Sequence, residues 1–162
     1  RMRGNSGTTI RIQGANTFSG DFYMLSGRVQ TAFGGTASNN IPDTARIIMS
    51  PGATFSLSNE GETVRGLVGG AATETVTTSA LVNQGRGDNN LSTLTLNDSN
   101  AANTHVYDGR IENRTTAAFI AITKAGAATQ VFRGVNSYSG PTTISGGTLE
   151  IGGAGQLGAG IY

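Results

Sequence analysis

The chain contains no cysteine and no tryptophan, and it has one histidine and 3 prolines among its 162 residues. Without cysteine it has no disulfides, thiolate nucleophiles or zinc–thiolate sites, so its stability has to come from packing and hydrogen bonds. The single histidine, His105, has no second histidine or cysteine with which to hold a transition metal. We therefore expect no thiol chemistry and no transition-metal site.

Charge is also scarce, with 11 basic residues against 10 acidic ones and a net charge of +1. The arginines are spread singly from Arg1 to Arg133, and Lys124 is the only lysine. Such a distribution gives no electrostatic patch for nucleic acid or for an anionic membrane. No run approaches the ~18 apolar residues of a spanning helix, and no signal peptide opens the sequence. We expect no nucleic-acid partner and no membrane insertion of this segment.

The residues that are abundant are glycine, with 25 copies, and threonine, serine and asparagine. Short runs alternate between apolar and polar residues and are separated by turn residues, which is typical of strands. Apolar residues never persist at helical spacing, so we predict an all-β chain without substantial helix. The predicted strands are 8–13, 22–25, 28–33, 45–49, 53–57, 64–68, 75–82, 91–96, 105–111 (with a break at Gly109), 119–124, 129–132, 142–144 and 148–151.

The stretch 134–151, G-V-N-S-Y-S-G-P-T-T-I-S-G-G-T-L-E-I, combines a turn, a short strand, a second turn and another strand. A shift of 120 positions places it on a similar stretch near the start of the chain. An internal repeat at a long interval indicates a modular chain. The residues that we expect to shape the turns are Gly14, Asn16, Phe18, Gly20 and Gly27 in the first copy, and Gly134, Asn136, Tyr138, Gly140 and Gly147 in the second.

The motif Gly-x-Asn-[Ser/Thr]-[Tyr/Phe]-Ser-Gly-x-Thr-Thr-Ile-x-x-Gly-Thr-Leu resembles the autotransporter-associated β-strand repeat, also called the passenger-associated transport repeat. The lysine-glycine segment 122–127 and the strand 129–132 that precede it are also similar to that family. The first copy departs from the motif at Asp21, Phe22 and Tyr23. The resemblance implies a right-handed parallel β-helix in a secreted or surface protein of bacteria, with motif copies at about 8–41 and 128–161.

Strand-and-turn units that recur every ~8–12 residues are compatible with a β-sandwich as well as with a solenoid. Two-residue Asn-Gly and Asp-Gly hairpin turns are scarce, however, and the motif recurs at a long interval, as stacked coils require. We therefore predict a single β-solenoid over 1–162, with three short strands per coil, roughly 22 residues per coil and about seven coils. Asn16 and Asn136 are the best candidates for buried turn amides.

The acidic residues give little indication of catalysis. A glycan-cleaving β-helix needs carboxylates that converge on one face, whereas these lie mainly in turns and are expected to be solvated. Asp108 and Arg110 are expected to point outward as a neutralising pair. The turn acids are Asp21, Asp43, Glu60, Glu62, Asp88, Asp98 and Glu112, of which Glu60 and Glu62, with Arg65 nearby, come closest to a cluster.

Two oxygen-rich turns, 87–90 and 97–100, leave weak calcium binding as an alternative, although neither has the spaced acids of a calcium loop. The tripeptide Arg86-Gly87-Asp88 matches the integrin-recognition sequence, for which chance is the better explanation in a chain rich in Gly and Arg. We expect no catalytic residues, no cofactor and no metal, and we expect that the protein is not an enzyme.

These observations favour a structural role, as a repeat segment of an extracellular fibre or adhesin stalk on the bacterial surface. Neither terminus has an obvious polar cap, so we expect end-to-end self-association or further repeats of the same chain. Because the chain starts and stops inside repeat motifs, the sequence favours a segment of a longer protein. The alternative is a carbohydrate-binding or carbohydrate-cleaving β-helix. A surface glycan or a host protein is a further candidate partner.

Overall fold

The computed structural model describes residues 2–3, 8–31, 40–57, 61–70, 73, 75–78, 91–116 and 118–159. Within them every regular element is a β-strand, as predicted, and none is a helix that could cross a membrane. The strands are β1 (Met2–Arg3), β2 (Thr9–Ile12), β3 (Phe22–Ser26), β4 (Arg28–Thr31), β5 (Arg46–Met49), β6 (Thr54–Leu57), β7 (Glu62–Val64), β8 (Gly66–Gly69), β9 (Thr75–Thr78), β10 (Leu91–Asn97), β11 (Thr104–Tyr107), β12 (Arg110–Glu112), β13 (Phe119–Ala125), β14 (Thr129–Phe132), β15 (Thr142–Ile144) and β16 (Thr148–Ile151).

The strands form three sheets, and the strand pairs within them are parallel. Sheet A has the order β1-β3-β5-β8-β11-β14-β16, sheet B the order β12-β9-β6-β4-β2, and sheet C the order β15-β13-β10-β7. The chain passes through sheets C, A and B in turn, first as β7-β8-β9 and then as β10-β11-β12. One such circuit is called a coil below. The predicted all-β class and parallel β-helix are confirmed.

The core consists of columns of inward side chains that the strand register stacks across successive coils. In sheet B the column runs Val29, Phe55, Val76 and Ile111, each at most 1% exposed. In sheet A the register aligns Tyr107 with Phe132, and both are fully buried. Burying a large apolar side chain contributes about 1.5–3 kcal/mol, so the columns supply the main stabilisation that a cysteine-free chain requires.

The outward face of sheet C presents a ladder of threonines. The register pairs Thr95 with both Thr63 and Thr123, and Thr123 in turn with Thr143. Since alternate residues of a strand point to opposite faces, the same strands send Leu94, Leu96 and their equivalents inward. A β-branched residue at each rung favours the extended backbone without adding charge.

Two predicted strands are divided by corners. The predicted strand 64–68 is wrong as a single element, because the chain changes from sheet C to sheet A at Arg65. Val64 and Leu67 are both fully buried, and the corner allows both to face the core from different sheets. At the predicted break near Gly109, the segment 105–111 likewise divides into β11 and β12. The ends of predicted strands 28–33 and 75–82, and parts of the motif copies, lie outside the described residues.

Replacing a single column residue tests the packing. We expect Phe55→Ala to lower the free energy of unfolding by about 3–5 kcal/mol, because it opens a cavity between two coils. Urea unfolding followed by circular dichroism measures the change. Thr54→Ala, at the neighbouring partly exposed position, is the matched control and should cost less than about 1 kcal/mol. Equal losses in the two variants would contradict a core built of columns.

Candidate functional site: the repeat turn

Asn136 links three successive coils through one amide. It is 1% exposed. Its Oδ1 accepts a hydrogen bond of 2.8 Å from the backbone N–H of Ile111, 25 residues earlier, and its Nδ2 donates to the carbonyl of Gln156, 20 residues later, at 2.7 Å. The same Nδ2 donates to the carbonyl of Gly134 at 3.1 Å, which closes the turn itself. The amide thus satisfies backbone groups that the sheets leave unpaired at this corner.

The glycines of the second motif copy are required by the close approach of neighbouring coils. A Cβ at Gly134 would collide with the carbonyl of Gly109, and one at Gly140 with the carbonyl of Ile120. Gly147 has a φ of +64°, a conformation in which a side chain is strained. These glycines let the turn lie directly on the coil before it.

Tyr138 occupies the centre of the same turn. Its side chain is fully buried, and its hydroxyl lies 2.7 Å from Oγ1 of Thr142. A buried phenol needs a partner for its hydroxyl, and the first threonine of the Thr-Thr-Ile motif supplies one. The motif therefore places aromatic ring and threonine together as one packed unit.

The first motif copy keeps the amide but not the packing. Asn16 donates from Nδ2 to the carbonyls of Gly14 at 3.2 Å and of Asn40, in the next coil, at 2.8 Å. It is half-buried, so the prediction of a buried turn amide is wrong for Asn16. Phe18, however, is 38% exposed. The positive-φ residues Gly14 and Gly20 have open space where a Cβ would stand.

The strands that follow the Asn turn in each copy also lie in different sheets. After Asn16 the chain enters β3 in sheet A, whereas after Asn136 it enters β15 in sheet C. Gly27 resembles Gly147 in its positive φ, 75° against 64°. The two copies therefore share a turn but not the course of the chain after it.

Lys124 lies in the lysine-glycine segment before the motif, outside the predicted turn residues, and has a structural role. It is 2% exposed, and its Nζ donates to the carbonyls of Ala125, of Gly126 at 3.1 Å and of Gly146, in the next coil, at 3.2 Å. Burial lowers the pKa of Lys124, while the charge of Asp98 raises it. Its signal in the sequence is that the only lysine stands immediately before an Ala-Gly turn.

The carboxylate of Asp98 accepts hydrogen bonds from two coils. The prediction that Asp98 is a solvated turn residue is therefore wrong. Oδ1 accepts from the backbone of Asn100 at 2.9 Å, and Oδ2 from Asn103 at 2.8 Å, from Nε of Arg65 at 3.2 Å and, as a contact of 2.9 Å, from His105 Nε2. Although burial raises the pKa of Asp98, these hydrogen bonds and the Arg65 charge hold it well below its usual range. The protein's own donors thus occupy the carboxylate that weak calcium binding at 97–100 would use.

Other predicted acids are also engaged by the fold. Glu62 is 2% exposed and accepts backbone N–H bonds from Asn40 at 3.2 Å and from Ile41 at 2.9 Å, so it is a corner acceptor and not a solvated acid. Asp21 forms a two-pronged ion pair with Arg46 of the next coil, at 3.0 and 2.6 Å. Glu60, Arg86, Gly87 and Asp88 lie outside the described residues.

The predicted pairing of Asp108 with Arg110 is wrong. Arg110 lies 3.3 Å from Glu112, and Asp108 lies 4.0 Å from Arg133. The chain changes from sheet A to sheet B between the two residues, so their side chains leave the coil in different directions. In the part of the chain that the structure describes, no group of three or more His, Asp or Glu side chains could hold a metal ion.

The side chain of Gln130 replaces backbone hydrogen bonds that are missing between two strands of sheet A. The register between β8 and β11 contains one pair, Gly69 with Tyr107. The carboxamide of Gln130, in the following coil, accepts from the N–H of Leu67 at 3.1 Å and donates to its carbonyl at 3.0 Å. The ring of His105 lies against Gly66, where a Cβ would collide with it. A side-chain amide thus replaces ladder bonds that the intervening strand does not make.

Removing the coil-linking amide should reveal its contribution. We expect Asn136→Ala to lower the free energy of unfolding by about 1–3 kcal/mol, because it leaves a buried N–H and carbonyl without partners. Asn16→Ala, in the more open first copy, should cost about 0.5–1.5 kcal/mol. Chemical denaturation of both variants gives the comparison, and a larger loss in Asn16→Ala would contradict this account of the turn.

The Asp98 cluster predicts a specific acid sensitivity. Because the pKa of Asp98 in the folded chain lies below its ordinary value of 3.8, its carboxylate stabilises the fold above that pH, and this contribution is lost as the pH falls further. We expect the wild-type chain to lose more free energy of unfolding between about pH 5 and about pH 3 than Asp98→Asn does. The pKa of Asp21 is also lowered through its hydrogen bond to Arg46. Because Asp21 is present in both chains, its contribution to the pH dependence cancels in the comparison. Parallel pH dependences would contradict the role of Asp98.

Comparison with known proteins bears on the segment that holds the second motif copy. The family model for the passenger-associated-transport-repeat matches residues 122–151. No curated protein and no solved structure gave a significant match. The matched segment runs from the middle of β13 to the end of β16. It contains Lys124 and Asn136, whose hydrogen bonds join successive coils, and Tyr138, which is buried in the turn between β14 and β15. For residues 122–151 the match confirms the resemblance to the passenger-associated transport repeat that the sequence motif indicated.

Proposed function

We propose that this chain is a structural segment of the secreted or surface-exposed passenger of a bacterial autotransporter, and that it extends a stalk or fibre by stacking coils. The family match supports the passenger assignment. The stacking of strands in three parallel sheets supports the mechanical role, because each added coil lengthens the solenoid without a new kind of contact.

The observation that carries the proposal is the surface of the last described coil. β15 and β16 lie at the edges of sheets C and A. Ile144 is in register with buried Lys124, and Ile151 with buried Phe132, yet these two isoleucines are 56% and 40% exposed. They occupy inward positions of the core columns with no described coil above them. This surface, defined by Ile144, Ile151 and the free edges of β15 and β16, is called the stacking face.

We propose that a further coil of the same repeat type covers the stacking face, and that a second copy of this chain supplies it when the chain is isolated. Continuity with the columns supports this occupant, because an apolar residue in register above Ile144 or Ile151 extends an existing row of the core. Exposed parallel edges also offer backbone groups that another strand satisfies. A contact of this kind is head-to-tail and does not close, so it generates a filament.

A catalytic role is not part of the proposal. An acid–base hydrolase needs two carboxylates free to reach the substrate. Asp98, Glu62 and Asp21 instead hold Arg65, backbone N–H groups and Arg46 within the fold. We propose that these acids stabilise the solenoid and that the chain is not an enzyme.

Negative-stain electron microscopy over a concentration series tests the assembly. We expect thin unbranched fibres that lengthen as the concentration rises. The double variant Ile144→Asp with Ile151→Asp should remain as short rods, because it places charge in an interface that excludes water. Thr143→Asp adds a charge on the outward side of the same strand and should assemble as the wild type does. Wild-type rods of fixed length at every concentration would overturn self-assembly.

A further inference from the structure

The turn of the first motif copy has an amide that is bonded on one side only. Asn16 donates from Nδ2 to the carbonyl of Asn40 in the next coil. Asn136 donates in the same direction, to Gln156, but its Oδ1 also accepts from the N–H of Ile111 in the previous coil. In the part of the chain that the structure describes, no donor reaches the Oδ1 of Asn16. The acceptor that joins the second copy to the coil before it is therefore open in the first copy.

The residue after each asparagine repeats this difference. The N–H of Ser137 donates to the carbonyl of Ile111 at 2.9 Å, so Ile111 gives both of its backbone groups to the second turn. Thr17, which the shift of 120 positions places on Ser137, is exposed, and among the described residues its N–H has no acceptor. The first turn thus presents the acceptor and the donor that, in the second turn, bind one residue of an extended strand.

The aromatic residue of the first turn is open beside these two groups. Phe18 is 38% exposed, and its ring contacts that of Phe22 with the centroids 6.0 Å apart. The corresponding Tyr138 is fully buried, and its turn is bonded to Ile111 on one side and to Ala159 on the other. The same motif position is therefore buried where coils lie on both sides of the turn. The surface formed by Asn16, Thr17 and Phe18 is called the leading face.

We propose that the leading face docks on the end of a second copy of this chain that carries the stacking face. Asn16 and Thr17 bond the backbone of an extended segment there, as Asn136 and Ser137 bond Ile111, and the ring of Phe18 packs against its apolar side chains. Burial of the ring supplies most of the affinity, whereas the two hydrogen bonds, exchanged for bonds to water, mainly fix the register. The inference rests on the proposed function, because it names the surface that covers the stacking face.

The two ends of the solenoid favour a head-to-tail contact over a closed dimer. Sheet A has β1 at one edge and β16 at the other, so stacking one copy on the next continues that sheet with parallel strands. Two stacking faces related by a two-fold axis would instead set β16 antiparallel to its own copy, unlike the strand pairs within sheet A. They would also leave the leading face open. The leading face therefore gives the assembly its direction.

Mixing two blocked variants tests the leading face. Phe18→Asp places a charge in the leading face and keeps the stacking face, whereas the double variant Ile144→Asp with Ile151→Asp does the reverse. We expect each variant alone to sediment as a single chain in analytical ultracentrifugation. An equimolar mixture should form a dimer and no fibre, because each chain then supplies one functional end. Dimer formation also shows that both variants are folded.

Further variants separate the leading face from general effects. Phe18→Ser removes the ring without adding charge and should raise the concentration at which fibres appear about tenfold or more. Thr104→Asp adds the same charge as Phe18→Asp at an exposed position of β11, on the side of the solenoid, and should assemble as the wild type does.

The outcomes distinguish this docking from the assembly on which it rests. Wild-type rods of fixed length at every concentration would contradict both. Wild-type fibres together with unchanged fibres of Phe18→Asp, or a mixture of the blocked variants that stays as single chains, would overturn the leading face and leave the proposed assembly standing. An equal loss of fibres in Thr104→Asp would show a general effect of charge and would also overturn the leading face.

Discussion

The fold depends on one constraint, namely that every corner of a coil exposes backbone groups that the sheets cannot pair. Parallel strands bond their neighbours only along straight segments, and buried unpaired N–H and carbonyl groups are costly. Side chains that reach along the solenoid axis pair these backbone groups. Asn136 bonds the coils on both sides, Glu62 accepts two N–H groups of the previous coil, and Lys124 donates to carbonyls of two turns.

The parallel ladders hold successive coils about 4.8 Å apart, and the polar side chains pair the backbone groups that remain at the corners. Glycine is needed where the turn approaches the coil before it, as at Gly134 and Gly140. Where the ladder of sheet A opens between β8 and β11, Gln130 reaches across and bonds Leu67 in place of the missing strand contacts. A core of apolar columns alone would leave these groups unsatisfied.

The same organisation separates two kinds of surface. The last described coil exposes Ile144 and Ile151, which continue inward columns of the core and which another coil covers in the proposed assembly. The side of the solenoid formed by sheet C exposes the threonine ladder, which belongs to no inward column. An apolar end surface and a polar side surface therefore lie on the same small chain.

The sequence by itself determined the all-β class, the solenoid and the family, because strand alternation, scarce hairpin turns and the Asn-Ser-Tyr-Ser-Gly motif are local patterns. It also identified Asn136 as a turn amide. The corner at Arg65, the buried state of Glu62 and Asp98, and the different packing of Phe18 and Tyr138 were decided only by the tertiary structure. The physical reason is that Glu62 and Arg65 bind partners 22 and 33 positions away, in the neighbouring coil. Which residues meet there depends on the register of the coils and on loops of unequal length, which local periodicity does not define.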